Sequence, residues 1–210
     1  LQIHIAKKKL PTIISTGMCT ENEIKETIKN IKKFNKKIII THCTSVYPCP
    51  YELTNISYIK RLQKLFKFPI GLSDHTSTIY TSLAAVTLGA VIIEKHFTLN
   101  KKDIGPDHAS SIEPHELRQL TEGSLAIHKS KGEKKEIHKE EKQIVEWARE
   151  SVVSTENIEK NEVFSENNIS VKRPAPTKSE IPAKNLFKIY GKRAKKNILI
   201  NRKIKWSEII

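Results

Sequence analysis

Two histidines, His75 and His96, each stand three residues past the end of a short apolar run, and that shared position makes them candidates for joint chemistry. A single histidine after a strand is ordinarily hydrogen-bonded or at the surface. A pair at equivalent places on neighbouring parallel strands is different. Such strands lie about 4.8 Å apart, so their terminal side chains can share one ion, with imidazole nitrogens roughly 2.0–2.2 Å from it. Two protein ligands leave coordination positions open for water and substrate, as a Lewis-acid catalyst requires. Glu94, two residues before His96, either supports that metal from behind or through water, or pairs with Lys95 or another lysine.

The elements that must position this pair can be read from pattern. Residues 11–15 are a β-branched run ending in the turn residues Ser15-Thr16-Gly17. Thr20-Glu21-Asn22-Glu23 matches a capping box, and Ile24, Ile28 and Ile31 then share one helical face. The alternation continues with a strand at 37–41, a helical stripe through Ile56, Ile59, Leu62, Leu65 and Phe66, and a strand at 69–72. A helix at 79–88 is stopped by Gly89, and a strand at 91–93 is followed by a helix at 114–128. This succession of strand–helix units predicts a parallel sheet with helical crossovers. The strands are apolar throughout, which suits burial on both faces, as in an α/β barrel or a doubly wound sheet. Polar groups follow every strand: Ser15-Thr16, His42-Cys43-Thr44-Ser45, Ser73-Asp74-His75 and Glu94-Lys95-His96. Ligands bind at the C-terminal ends of parallel strands, so these clusters converge on one mouth if the strands close into a barrel.

Residues 1–130 therefore read as one domain, 131–150 as a Lys/Glu-rich linker, and 151–210 as a small domain. Short strand-like pieces at 151–153, 169–172, 198–200 and 204–206 define the last. A closed barrel takes about 250 residues. The first domain is about half of that, which leaves apolar sheet edges unpaired, and the sequence starts at Leu1, so the chain reads as the later part of a longer protein. The formal net charge is +14, but the lysines are scattered and far outnumber the arginines, which argues against nucleic acid as a partner. Its milder consequence is steering of small phosphorylated anions. No apolar run is long enough to cross a bilayer and no secretory pattern is present at Leu1, so a cytoplasmic protein with no membrane partner is the default. Cys19, Cys43 and Cys49 show no C-x-x-C spacing and read as reduced thiols.

Five segments in order and spacing resemble the sialic acid synthase family of the N-acetylneuraminate synthase type. They are Ser15-Thr16-Gly17-Met18, His42-Cys43-Thr44-Ser45-Val46-Tyr47-Pro48, Gly71-Leu72-Ser73-Asp74-His75-Thr76, Ile93-Glu94-Lys95-His96-Phe97-Thr98 and Gly105-Pro106-Asp107-His108. Val171-Lys172-Arg173-Pro174 and Tyr190-Gly191-Lys192 resemble that family's antifreeze-like (SAF) domain. The resemblance implies the last four strand–helix units of a (β/α)8 TIM barrel followed by a small α+β SAF domain. It implies a transferase that condenses phosphoenolpyruvate with N-acetylmannosamine or a related N-acetylated amino sugar, giving a nonulosonic acid and phosphate. A divalent metal at His75 and His96, Mn2+ first and Mg2+ or Co2+ as alternatives, would polarise the sugar aldehyde while the phosphoenolpyruvate C3 attacks it. It also implies a homodimer in which each SAF domain covers the partner's barrel.

By the same analogy Ser15 and Ser73 would donate to the phosphate, although read alone they serve equally as caps of the following helices. Ser45 would contact phosphoenolpyruvate, and Tyr47, in a turn fixed by Pro48, would face both substrates or else plug the rim. Asp107 would accept sugar hydroxyls, where an isolated loop aspartate is more often a turn former. Arg173 would bind the N-acetyl end of the sugar in the neighbouring subunit. Two departures stand out: Ala175-Pro176 follows where the family has Gly, and the family's earlier strands, which supply a glutamate and lysines to the site, have no counterpart here. A truncated, catalytically inactive carbohydrate-binding or scaffold protein that retains the SAF domain is the alternative.

Overall fold

The computed structural model describes residues 1–210 as two compact units, Leu1–Glu133 and Lys134–Ile210. In the first, β1 (Thr12–Ser15), β2 (Ile38–Cys43), β3 (Ile70–Asp74) and β4 (Ile93–Lys95) form an all-parallel sheet in the order β1-β2-β3-β4. Helices α2 (Glu21–Ile31), α3 (Tyr58–Leu65) and α4 (Tyr80–Thr87) make the crossovers, and α5 (Pro114–Ser130) follows β4. This is half of a β/α barrel, with β1 and β4 at its two edges. A short helix α1 (Gln2–Lys7) precedes it and had no sequence signal, having neither a side-chain cap nor an acidic first turn.

The helices form where capping and periodicity place them. The Thr20 backbone N–H donates to Glu23 at 2.7 Å, closing the capping box at the start of α2. Ile24, Ile28 and Ile31 of α2, with Ile59 and Leu62 of α3, are buried against Ile38, Ile40, Ile70 and Leu72 of the sheet. Each such side chain contributes about 1.5–3 kcal/mol by leaving water, and together they hold the strand ends in one register. Gly89, at φ +97°, ends α4 in a conformation that other residues adopt only with strain.

Two strands extend beyond their apolar runs. The apolar pattern of β3 stops at Leu72, yet the ladder continues through Ser73↔Glu94 and Asp74↔Lys95. β4 accordingly occupies Ile93–Lys95, not 91–93. These polar residues stay in the sheet because their side chains find partners, a circumstance hydropathy does not record.

In the second unit β5 (Ser151–Ser154) pairs antiparallel with β6 (Ile169–Lys172) over a core that includes Val152, Ile158, Phe164, Ile169, Ile181, Ile189 and Ile204. The stretches 198–200 and 204–206 are not strands, contrary to expectation. They contribute only single bridges such as Ile158↔Ile198 and Glu180↔Lys205, and Trp206–Glu208 is a 3-10 turn. Ile198 and Ile204 are isolated buried anchors, while Leu199 and Ile200 are exposed, so no continuous ladder can form there. The stretch 131–150 contains α6 (Lys142–Ala148), which lies in the second unit. No helix is long and apolar enough to cross a membrane.

Candidate active site

The register Asp74↔Lys95 makes His75 and His96 the next residues on two adjacent strands. Their ring centroids are 5.3 Å apart. His75 Nδ1 lies 2.8 Å from the Thr44 carbonyl oxygen, which can only accept, so Nδ1 is the donor in this contact and Nε2 is left for another partner. His96 is held from the other side, its carbonyl accepting from the Ile112 N–H at 2.8 Å, and its Nδ1 is 3.9 Å from Asp107 Oδ2. A pocket of about 160 Å3 is lined by Ser73, His75, Glu94, Lys95 and His96.

Tyr47 completes this face. Its ring centroid is 4.1 Å from that of His75 and 5.6 Å from that of His96, so it packs on both histidines. Partial burial and the nearby Cys43 and Asp107 push its phenol pKa up, against a hydrogen bond from Ser45. Tyr47 is thus a proton donor at neutral pH. Ser45 Oγ is 3.7 Å from Cys43 Sγ, which is itself 3.9 Å from His75 Nδ1. The Ser15-Thr16-Gly17 loop runs against this group: a Cβ on Gly17 would sit 2.3 Å from Ser45 Oγ and 3.0 Å from Cys43 Sγ, so a side chain there would require Ser45 to rotate away.

The remaining expected residues are placed as follows. Ser15 is exposed at the end of edge strand β1 and caps nothing, since Thr20 is the cap of α2. Ser73 is not a cap either; its hydroxyl donates to Glu94 at 2.7 Å. Glu94 therefore pairs with Ser73, and the lysine beside it turns elsewhere. Asp107 is the N-cap residue of the 3-10 turn His108–Ser110 but its exposed side chain makes no capping hydrogen bond, which leaves the carboxylate 3.9 Å from His96 Nδ1. Arg173 lies in the second unit, exposed, with its guanidinium 5.2 Å from the Trp147 ring centroid. The Ala175 N–H donates to the Glu146 carbonyl at 2.8 Å, an arrangement that a residue other than glycine accommodates. All three cysteines are free thiols.

Sequence reasoning assigned no role to the buried polar network behind the histidines. Asp74 Oδ1 accepts from the Thr76 N–H at 2.8 Å, while Oδ2 accepts from Thr81 and Ser82 hydroxyls at 2.6 Å each. Lys95 Nζ is 3.3 Å from Asp74 Oδ2 and donates to the Thr76 carbonyl. Burial works to raise the Asp74 pKa, but the hydrogen bonds from Ser82 and Thr81 and the Lys95 charge outweigh it and hold the carboxyl below its ordinary range. The available signal was the Asp-x-Thr spacing of an Asx turn.

Parallel strand ends carrying paired histidines, an aromatic hydroxyl, the Asp107 carboxylate near His96 and the Glu94 carboxylate held by Ser73 define a polar mouth on an α/β half-barrel. Two imidazoles on one pocket are donors of the kind a divalent metal takes, with no third His, Cys, Asp or Glu grouped with them, so further positions would fall to water or substrate. Comparison with known proteins places the fold more closely. The NeuB family model matches residues 1–136 and the SAF domain model residues 149–210. The chain belongs to the NeuB family. It is 42% identical to the N,N'-diacetyllegionaminic acid synthase of Campylobacter jejuni over 92% of this chain and 58% of that protein. It is 34% identical to human N-acetylneuraminate-9-phosphate synthase over 90% of this chain and 52% of that enzyme. The crystal structure of the spore coat polysaccharide biosynthesis protein SpsE of Bacillus subtilis aligns with all of this chain and 64% of that one, with TM-score 0.60 and 31% identity. The chain thus spans between half and two thirds of these relatives.

Proposed function

We propose that this chain carries the histidine-bearing half of the mouth of a phosphoenolpyruvate-dependent nonulosonic acid synthase. The observation that supports this most strongly is the His75/His96 pair on adjacent strand ends with Tyr47 packed on both rings. The reading extends to a protein of its relatives' length, in which other strands complete the mouth. In the reaction, C3 of phosphoenolpyruvate forms a bond to the aldehyde carbon of an open-chain N-acetylated amino sugar, whose oxygen takes up a proton. Water then adds its oxygen at C2, the bond from C2 to the phosphate oxygen breaks, and phosphate departs. His75 and His96 would hold a divalent cation such as Mn2+, which would supply electrophilic polarisation of the aldehyde oxygen.

The chain's own residues have separate tasks. Tyr47 keeps its proton at neutral pH and offers it to substrate oxygen over the histidines. Asp107, next to His96, accepts sugar hydroxyls. Ser45 and Ser15 flank the phosphate side, and Ser73 orients Glu94 toward the pocket. Arg173 reaches the N-acetyl group across a homodimer interface, from the SAF domain of one subunit to the barrel of the other.

The test is an assay of the full-length protein with phosphoenolpyruvate, Mn2+ and either N-acetylmannosamine or a diacetamido sugar, reading phosphate release and the mass of the product. Product with either acceptor is expected, and loss of it in His75→Ala. The alternative is a non-catalytic carbohydrate-binding or scaffold protein that keeps the SAF domain. Sugar binding without any phosphate release in the same assay would select it.

A further inference from the structure

Asp74 and Lys95 directly precede the two histidines, face each other in register, and their side chains are almost wholly buried, at 2% and 4% exposure. A buried ion pair gains little net stability, because desolvation of both charges offsets their attraction, and apolar replacements are often as stable. Here the pair is tied into a larger network. The Asp74 carboxylate closes an Asx turn centred on His75 through the Thr76 N–H and is gripped by Thr81 and Ser82 at the start of α4. Lys95 donates to the Thr76 carbonyl, and Lys101, in the loop after β4, donates to the next carbonyl, Ser77, at 3.0 Å. Glu116 at the start of α5 neutralises Lys101 at 2.6 Å. Two lysines from the His96 side therefore hold consecutive carbonyls of the loop that carries His75.

We propose that the Asp74–Lys95 pair is a positioning device that fixes the separation and orientation of His75 and His96, and so sets the affinity of the site for a divalent cation. This rests on the histidine-site reading above. Outer partners of metal ligands commonly govern affinity by about 10–100-fold, and here one salt link joins both ligand-bearing strand ends.

The experiment titrates the chain with Mn2+ alone, following free Mn2+ by EPR, and records the metal-free imidazole signals by NMR. Lys95→Met is expected to weaken Mn2+ binding about tenfold or more and to shift and broaden the ring signals of both histidines, with circular dichroism unchanged. Lys95→Arg is expected to recover part of the affinity. Should Lys95→Met fail to fold, Lys101→Met decides, with a smaller loss of affinity and a shift of the His75 signals. Unmoved ring signals in the metal-free variants, or unchanged Mn2+ affinity, would overturn the positioning role. If Mn2+ binding survives in His75→Ala, or is absent from the unaltered chain, the histidine-site reading fails instead, and the metal-free ring signals still judge the positioning role.

Discussion

The two units bury polar groups for different purposes. In the half-barrel, one set of buried polar side chains meets at the C-terminal ends of the strands, Asp74 with Thr81, Ser82 and Lys95, and Thr76 with Thr81, while others such as Thr16, Asn35 and Ser111 donate to backbone carbonyls. In the SAF unit they serve the backbone. The Ser151 hydroxyl donates to the Pro174 carbonyl and that of Ser154 to the Leu199 carbonyl, and Asn168 donates to the Val163 carbonyl. A sheet of only two short strands and a set of single bridges leaves many backbone groups to satisfy, and side chains do that work. The parallel ladder of the half-barrel satisfies its strands, so part of its buried polar set is left to meet at the strand ends. Chemistry is therefore expected in the first unit, and packing plus a surface contact in the second.

Substitutions can break this contrast at graded cost. On the proposed synthase activity, His75→Ala in the full-length protein should lower turnover about a thousandfold or more, since loss of a cation's charge stabilisation would remove several kcal/mol. Its thermal midpoint should stay within a few degrees of the unaltered protein. Phe164→Ala, at a fully buried position of the SAF core, should cost about 3–5 kcal/mol in urea unfolding of that unit while leaving Mn2+ affinity unchanged; a parallel loss of affinity would erase the division of labour. Ser154→Ala should cost about 1–3 kcal/mol, because the Arg202 N–H and Leu199 carbonyl lose a buried partner. A neutral result there would show that backbone satisfaction in the SAF unit does not depend on side chains.

The smallest effect concerns pH. Glu21 is held at about 2 by its hydrogen bonds from Arg61 and Lys25. A carboxylate depressed in the folded state contributes stability that is present above its ordinary pKa and lost as pH falls toward the folded value. Glu21→Gln should therefore melt slightly lower than the unaltered chain at pH 6, and the gap should close between about pH 4.5 and 2. As Glu21, Lys25 and Arg61 lie at the surface in partial contact with solvent, salt should shrink the gap as well. A gap that persists at pH 2 would contradict the ionic origin.

Most of the half-barrel was legible in the residues because its signals are local and repeated: the Thr20 capping box, the Ile24-Ile28-Ile31 face and the stop at Gly89 each act within about two turns. The histidine pair was legible as well, since equal distances from two apolar runs translate into equal heights on adjacent strands. What lay hidden depends on contacts between strands. Lys95 reads as a partner for Glu94 in sequence, yet alternation along β4 sends the two side chains to opposite faces, Lys95 to Asp74 and Glu94 to Ser73. The SAF unit was the least legible, because Ile198 and Ile204 are single anchors without a repeat, and apolar triplets around them imitate strands.

The central claim is that His75 and His96 together hold a divalent cation. Crystals of the chain soaked in Mn2+ and measured at the manganese absorption edge test it directly. The account predicts one anomalous peak roughly 2 Å from a ring nitrogen of each histidine, on His75 from Nε2. A peak bound to neither imidazole, or no peak at saturating Mn2+, would contradict it.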